Sequence, residues 1–268
     1  MAGSTQQVHP KMTPSEMKSF YLEQTLSSLE QWEQNNFKIQ GQPPFGLDRS
    51  EASSLLITPE LAKKLNIRKQ ITEFAEEAKV STAGVRENQN VLCPWDHRYR
   101  INEYIFALIA EAMSRLVKEL QPQRMATLAK PDVAVVAKEL GAENVAVIEE
   151  IYGKSLSEAI DFARANPIRM VGGEVRSNTP RFVGLLARIY AAQGLHVFVT
   201  DRQDFSNTST IFTWSFMTYL LGLSGGDYFT CSHGAPQKQS DKILAQDGAQ
   251  YLPALYARIV EHLYSILD

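Results

Sequence analysis

The sequence has little that would indicate a secreted, membrane-bound or nucleic-acid-binding protein. It has two cysteines, Cys93 and Cys231, and they lie far apart, so a disulfide framework is not expected. No apolar run approaches about 18 residues, and the N-terminus lacks the apolar segment of a signal peptide. The net charge is −3 and the pI about 6.0, whereas nucleic-acid-binding domains carry a basic face. We therefore expect a reduced, cytoplasmic protein with no membrane or nucleic-acid partner.

The chain also lacks the short motifs that identify several common enzyme classes. It has no G-x-x-x-x-G-K-[ST], no G-x-G-x-x-G and no H-E-x-x-H, and no G-x-S-x-G surrounds Ser232. Hydrophobic residues make up 44% and charged residues 21%, which is ordinary for a globular protein. A chain of this length can bury a large core, so it needs no disulfide or structural metal in order to fold.

The N-terminal part of the chain is polar over residues 1–50 and is predicted to be helical. Apolar residues at helical spacing predict an amphipathic helix over residues 15–34. Thr58 before Pro59 predicts the start of a second helix that runs to about residue 79. A third helix is predicted over residues 102–120, and Pro122 follows its end.

Beyond residue 120, short helices and strands are predicted in alternation. Helices are expected at 132–140 and 155–164, the second opened by a capping box of Ser155 and Glu158, with a short strand at 144–153 between them. Strands are predicted at 168–175, 195–200 and 225–232, and helices at 178–193, 210–223 and 249–266. Strands that alternate with such helices form parallel βαβ units, so residues 168–268 are predicted to form an α/β sheet with helices on its faces.

The sequence contains three polar clusters that could form a site. Two of them follow predicted strands, and open α/β sheets bind their ligands at that end of their strands. Gly172-Gly173-Glu174-Val175-Arg176-Ser177 places an arginine between a strand and a helix start, which suits an anion site. Thr230-Cys231-Ser232-His233 places a serine and a histidine after a buried strand. Ser81-Thr82-Ala83-Gly84-Val85-Arg86 is a small-residue loop that ends in arginine. Alone, each cluster could equally be a strand-to-helix joint, a polar loop or a turn.

A nucleophilic serine is one interpretation of the second cluster. Successive residues of an extended segment point to opposite sides, so Ser232 and His233 are not a ready-made nucleophile and base. A serine hydrolase would also need a nucleophile elbow and an acidic partner. The sequence offers neither, and a hydrolase is the weakest of the hypotheses.

In their order and spacing, the three clusters resemble the first domain of the α-D-phosphohexomutase family, which comprises phosphoglucomutases and phosphomannomutases. The segment from Ser81 to Arg86 is similar to the family's F-G-T-[SA]-G-[LIV]-R, and that from Gly172 to Ser177 to its G-x-D-x-R-x-S, with Glu174 in place of Asp. The segment from Thr230 to His233 is similar to the first half of T-[AG]-S-H-N-P, and Lys242 stands where the lysine of Y-N-G-x-K would stand. The resemblance covers about residues 75–265. It divides the chain into a helical N-terminal extension, residues 1–75, and a domain I-like part, residues 76–268, with residues 121–166 as an insertion.

This resemblance implies a fold, a reaction and a set of site residues. The fold is a three-layer α/β/α sandwich with a mixed, mostly parallel sheet. The reaction moves a phosphoryl group between C1 and C6 of a hexose phosphate through a phosphoserine at Ser232, with Mg²⁺ on the phosphoryl group and a hexose 1,6-bisphosphate as activator. His233 would act beside the serine, and phosphate contacts would come from Arg86, Arg176, Thr230 and Lys242.

Departures from the family pattern define an alternative. Gly234-Ala235 stands in place of Asn-Pro, Gln239-Ser240 in place of Asn-Gly, and Ile211 in place of the proline of the S/P-T-P loop. The D-G-D-x-D-R metal loop and the sugar-reading loops of later domains have no counterpart, so we expect this chain to supply only the phosphoserine domain, completed by further domains or a partner chain. The alternative is a non-catalytic domain that binds a sugar phosphate or a partner protein.

Overall fold

The structure, a computed structural model, describes residues 67–78, 84–89, 99–127, 129–199, 209–235 and 237–268. The predicted helix over 15–34 and the predicted helix start at Thr58 lie outside those residues. None of the described helices is both long enough and apolar enough to cross a membrane. In chain order, the described elements are α1 (Ile67–Ala78), β1 (Val85–Asn88), α2 (Glu103–Thr127), α3 (Val133–Leu140), α4 (Ala142–Tyr152), α5 (Leu156–Ala165), β2 (Ile168–Gly173), α6 (Thr179–Ala192), β3 (His196–Val199), α7 (Ile211–Leu220), β4 (Gly226–Phe229), β5 (Lys238–Leu244) and α8 (Pro253–Leu267).

The described strands form one mixed sheet in the order β1-β5-β4-β2-β3. β2 pairs in parallel with β3 and β4, whereas β5 pairs antiparallel with both β4 and β1. Every strand except β5 therefore points the same way, which confirms the predicted mixed, mostly parallel sheet. The hydrophobic pattern predicts β2, β3 and β4 but neither β1 nor β5.

Helices cover both faces of this sheet, because side chains alternate between the faces along each strand. On one face, called the α2 face, Val171 and Phe229 belong to a core built with α1, α2, α6 and α8. On the other, called the α7 face, Met170 and Tyr228 belong to a core built with α3, α5, α7 and the buried residue of α4. The two cores confirm the predicted three-layer α/β/α sandwich.

The predicted end of the third helix at Leu120 is wrong, because α2 continues through Pro122 to Thr127. Arg124 holds the extra turn: its guanidinium donates hydrogen bonds to the carbonyl oxygens of Ala163, Arg164 and Gly222. These contacts join the turn to α5 and to the end of α7. They compensate for the backbone hydrogen bond that proline cannot donate.

The predicted strand over 144–153 is also wrong, because these residues form most of α4 and its C-cap. Val145, Ile148 and Tyr152 lie at helical spacing and face the core on the α7 side of the sheet. Gly153 ends the helix with φ of 60°. By contrast, the predicted capping box is confirmed: the Ser155 side chain accepts from the Glu158 N–H, and the Glu158 carboxylate accepts from the Ser155 N–H.

The α2 face buries a cluster of charged groups from three neighbouring strands. Arg169 on β2 donates to the Asp227 carboxylate on β4 with 2.9 Å from Nε to Oδ2, and both side chains are fully buried. Asp241 on β5 is also fully buried, and among the described residues neither of its carboxyl oxygens has a hydrogen-bond partner. Burial, and then the nearby charge of Asp227, raise the pKa of Asp241 well above its ordinary value.

We predict that Asp241→Asn stabilises the protein at neutral pH. A carboxyl group with a raised folded-state pKa costs stability once the unfolded chain ionises above pH 3.8, so stability falls as pH rises. Asparagine has nearly the same shape and never ionises. The variant should be more stable than the unmodified protein at pH 7, measured by urea unfolding, and the difference should shrink as pH approaches 4.

Asp227→Asn provides the matched control. It leaves the buried Arg169 guanidinium without its ion pair, which costs about 3–5 kcal/mol in such pairs. Equal destabilisation by both variants at neutral pH would show that Asp241 is ionised and shares the arginine.

Candidate functional site

The site lies where β2 and β4, two parallel neighbours, end side by side. The loop 230–237 follows β4 and leads into β5, and residues 174–178 follow β2 and lead into α6. The Glu174 N–H donates to the Phe229 carbonyl oxygen at 2.9 Å, and the Thr230 N–H to that of Ser240 at 2.9 Å. Both loops therefore start from fixed positions at the carboxyl edge of the sheet, where α/β folds place their ligands.

Ser232 lies at the exposed tip of the loop that follows β4. It is the one non-glycine residue of the described ranges with a positive φ, 52°. Such a left-handed conformation costs a residue with a side chain about 1–2 kcal/mol, so the surroundings must hold it. Its N–H donates to the Thr230 Oγ1 at 3.0 Å, and its carbonyl oxygen accepts from the Arg176 Nη2 at 2.9 Å.

Arg176 makes five hydrogen bonds, one for each N–H of its guanidinium group. Nε donates to the Glu174 carboxylate at 2.7 Å. The two Nη groups donate at 2.9–3.2 Å to four backbone carbonyl oxygens, those of Ser232, Gly234, Ala235 and Lys238. The side chain is only 10% exposed. The predicted phosphate contact of Arg176 stays a prediction, and in this structure all of its donors bind the serine loop and Glu174.

Glu174 connects this arginine to the backbone of the serine loop. Its Oε1 accepts from the Arg176 Nε and from the Cys231 N–H, the latter at 3.0 Å. Partial burial by itself would raise the pKa of Glu174. The hydrogen bonds from Arg176, Thr230 and the Cys231 backbone outweigh burial, so the pKa lies below its ordinary value of 4.5. Glu174 is therefore an anion at neutral pH and offsets the charge of Arg176.

Arg86 and Lys242 lie on adjacent strands and on one face of the sheet. Arg86 on β1 is opposite Ser240 on β5, and Lys242 lies two residues further along β5, opposite Tyr228. Tyr228 belongs to the α7 face, so Arg86 and Lys242 share that face too. Gly84 permits the close approach of β1 to β5: its φ is 75°, and an added Cβ would lie 1.9 Å from the Asp241 carbonyl oxygen.

Lys238 lies on the same face of the sheet as these two residues, although the family motifs do not include it. It stands four residues before Lys242 on β5, opposite Asn88, and so lies on the α7 face. On the described strands β1 and β5 the acidic residues, Glu87 and Asp241, alternate onto the α2 face. We call Arg86, Lys238 and Lys242 the cationic strip. Within the described ranges, no side-chain hydrogen bond or ion pair occupies any of the three.

The remaining predicted site residues take separate positions. Thr230 is buried, and its hydroxyl holds the Ser232 backbone. His233 is exposed, and its ring makes no hydrogen bond within the described part of the chain. The described residues thus contain no Ser232–His233 hydrogen bond of the kind a serine hydrolase would need. Thr210 caps α7 by accepting from the Thr213 N–H at 3.3 Å.

The described ranges contain no group of three or more histidine, cysteine or acidic side chains that could hold a metal ion. Glu174, a carboxylate in direct contact with the serine loop, already accepts from Arg176 and Cys231. The side chains described here therefore do not by themselves form a magnesium site. What the site offers is an exposed hydroxyl in a fixed loop, and this loop leads into the strand that carries Lys238 and Lys242.

Comparison with known proteins finds a matching family model and similar solved structures. The model of the family described as "Phosphoglucomutase/phosphomannomutase, alpha/beta/alpha domain I" matches residues 134–267, which is half of the chain. No curated protein matches. A similar crystal structure is that of a protein named "putative phosphomannomutase" from Thermus thermophilus, with 17% sequence identity and a TM-score of 0.44. The match covers 69% of this chain and 29% of that one, so this chain spans less than a third of that protein's length.

We predict that Ser232→Gly is more stable than Ser232→Ala. Both variants lack the hydroxyl group, but only glycine adopts a positive φ without a steric cost. The difference in unfolding free energy should be about 1 kcal/mol, measured by urea unfolding.

The same pair of substitutions at Ser265, on the exposed surface of α8, is the control. There alanine should be the more stable by about 1 kcal/mol, because glycine disfavours helices. If alanine were also preferred at position 232, the left-handed conformation of the serine would be refuted.

Proposed function

Because the chain belongs to the phosphoglucomutase/phosphomannomutase family through its alpha/beta/alpha domain I, we propose that Ser232 carries the phosphoryl group of a phosphohexomutase reaction. The substrate class is a hexose phosphate, and the group moves between the C1 and C6 positions. In this proposal, the chain contributes the phosphoserine and part of the phosphate-binding surface. Further domains or a partner chain would contribute the sugar-reading surface.

The observation that supports this proposal is that the loop of Ser232 leads directly into β5, the strand that carries Lys238 and Lys242 of the cationic strip. The hydroxyl group is exposed on a loop fixed at the carboxyl edge of the sheet. Arg86 and Lys242 lie on the neighbouring strands with no competing carboxylate on their face of β1 and β5. Phosphoryl transfer spreads negative charge over the peripheral oxygens, and fixed cations stabilise that charge.

The reaction balances in two transfers. In the first, the O6 hydroxyl of a hexose 1-phosphate attacks the phosphorus on phosphorylated Ser232, so an O6–P bond forms and the P–Oγ bond breaks. The proton that leaves O6 is matched by one that reaches Oγ, and in this proposal His233, the next residue in the chain, relays it. After the bisphosphate turns around, Oγ attacks the phosphorus on O1, so a P–Oγ bond forms again and the O1–P bond breaks. The proton that leaves Oγ is matched by one that reaches O1, and hexose 6-phosphate remains.

Members of this family generally depend on magnesium. The described residues do not form a magnesium site by themselves, and the bonds made and broken above involve only the serine, the histidine and the substrate. We propose that Ser232 would meet the metal only through its phosphoryl group. The other ligands would have to come from outside the described residues.

We predict that hexose 1,6-bisphosphate with Mg²⁺ transfers one phosphoryl group to the protein at Ser232. Intact-mass measurement and peptide mapping would detect it, and Ser232→Ala should abolish it. Arg86→Met and Lys242→Met should each weaken binding of the bisphosphate by about 10- to 100-fold, because each removes a charge-assisted contact. Lys154→Met, exposed in the turn after α4, is the matched control and should change nothing.

The outcomes separate this proposal from its alternative. Tight binding that depends on the cationic strip, without phosphorylation of Ser232, would indicate a non-catalytic sugar-phosphate-binding domain. Absence of both binding and phosphorylation would reject both forms of the proposal.

A further inference from the structure

We propose that Glu174 and Arg176 are positioning residues that hold Ser232 in its reactive conformation and do not contact the phosphoryl group. We call them the loop clamp. This inference rests on the proposed function of Ser232. It assigns Arg176 a role that differs from the phosphate contact that the resemblance implies.

The first argument is that the guanidinium group has no donor left for a phosphate. Each of its N–H groups already donates to Glu174 or to a loop carbonyl oxygen, at 2.7–3.2 Å. A phosphate could bind only by displacing one of these partners. Displacement would leave a half-buried carbonyl or carboxylate without its donor, and an unsatisfied acceptor of that kind carries a desolvation penalty.

The second argument is the strain at Ser232. A left-handed serine persists only where its neighbours impose it. Arg176 binds the carbonyl oxygen of Ser232 itself and that of Gly234, two residues on. Thr230 binds the Ser232 N–H from the other side, so both peptide groups of the serine are fixed. The clamp therefore restricts the direction in which the hydroxyl group points.

The third argument concerns charge. Four loop carbonyl oxygens converge on one guanidinium group, so their partial negative charges are neutralised and do not oppose an approaching phosphate. Glu174 pairs with the same arginine at 2.7 Å, so the two side chains carry no net charge together. Attraction of the anion is left to the cationic strip, which has no such counter-charge on its face of β1 and β5.

The experiment compares Arg176→Met and Arg176→Lys with Lys242→Met and the unmodified protein. Two quantities are measured on each: the affinity for inorganic phosphate, by NMR titration of backbone amides, and the rate of Ser232 phosphorylation by hexose 1,6-bisphosphate with Mg²⁺. Arg176→Met should slow phosphorylation of Ser232 by about 100-fold, because misplacing a reacting group by about 1 Å has an effect of that size. The same variant should change the affinity for phosphate by less than about threefold. Lys242→Met should weaken phosphate affinity by at least about tenfold.

Arg176→Lys tests whether charge or geometry matters. Lysine keeps the charge but has three donors on a flexible stem and cannot make the five fixed contacts. It should therefore restore little of the phosphorylation rate. The clamp would be overturned if lysine fully restored the phosphorylation rate. It would also be overturned if Arg176→Met lost as much phosphate affinity as Lys242→Met, because Arg176 would then contact the phosphate directly.

Amide hydrogen exchange gives a readout that does not need catalysis. The Cys231 and Ser232 amides, which donate to Glu174 and Thr230, should exchange at least about tenfold faster in Arg176→Met than in the unmodified protein. If no protein were phosphorylated but this difference appeared, the proposed function would fail while the clamp on the loop stood. Unchanged exchange would refute the clamp whatever the phosphorylation result.

Discussion

The register of β5 is the constraint on which the rest of the structure depends. This strand runs against its neighbours, and its pairing places Lys242 opposite Tyr228 and Asp241 opposite Phe229. Side chains alternate along a strand, so a slip of one residue would exchange the faces of the lysine and the acid. The alternation of side chains along β4 and β5 therefore places the Asp227 carboxylate, which pairs with Arg169, and Lys242 of the cationic strip on opposite faces of the sheet. The ion pair joins β2 to β4, and β4 in turn fixes β5.

The site combines two kinds of electrostatic arrangement within one edge of the sheet. The loop clamp is internally neutral and saturated with hydrogen bonds, so it suits the task of fixing backbone geometry. The cationic strip is unpaired within the described strands, so it suits the task of attracting an anion. With the two tasks separated, a phosphate could bind to the strip without displacing the hydrogen bonds that Arg176 donates to the serine loop. A single arginine could not do both, because its donors can be used only once.

Much of the fold was predictable because β2, β3 and β4 are short apolar runs followed by polar loops and helix starts. β1 and β5 escaped prediction because Arg86, Asp241 and Lys242 interrupt their apolar pattern, and only the sheet explains why these charges alternate between faces. The strand predicted at 144–153 is a helix, and the helical spacing of Val145 and Ile148 was the better signal. Motif order predicted that Ser232 follows a buried strand, and the structure places it in the loop after β4. Motif order could not show that Arg176 is saturated, because hydrogen-bond partners depend on the loop's three-dimensional course. The boundary at residue 76 and the insertion at 121–166 stay predictions.

The reactivity of the Cys231 sulfur depends on how often the serine loop opens. The side chain is 1% exposed, and Gly234 packs so closely that an added Cβ would lie 2.7 Å from the sulfur. A thiol reagent can reach that atom only when the turn lifts away from the sheet. The rate at which this buried thiol reacts is therefore set by how often the loop opens. Oxidation or alkylation of the sulfur would hold the loop in an open conformation and displace Ser232.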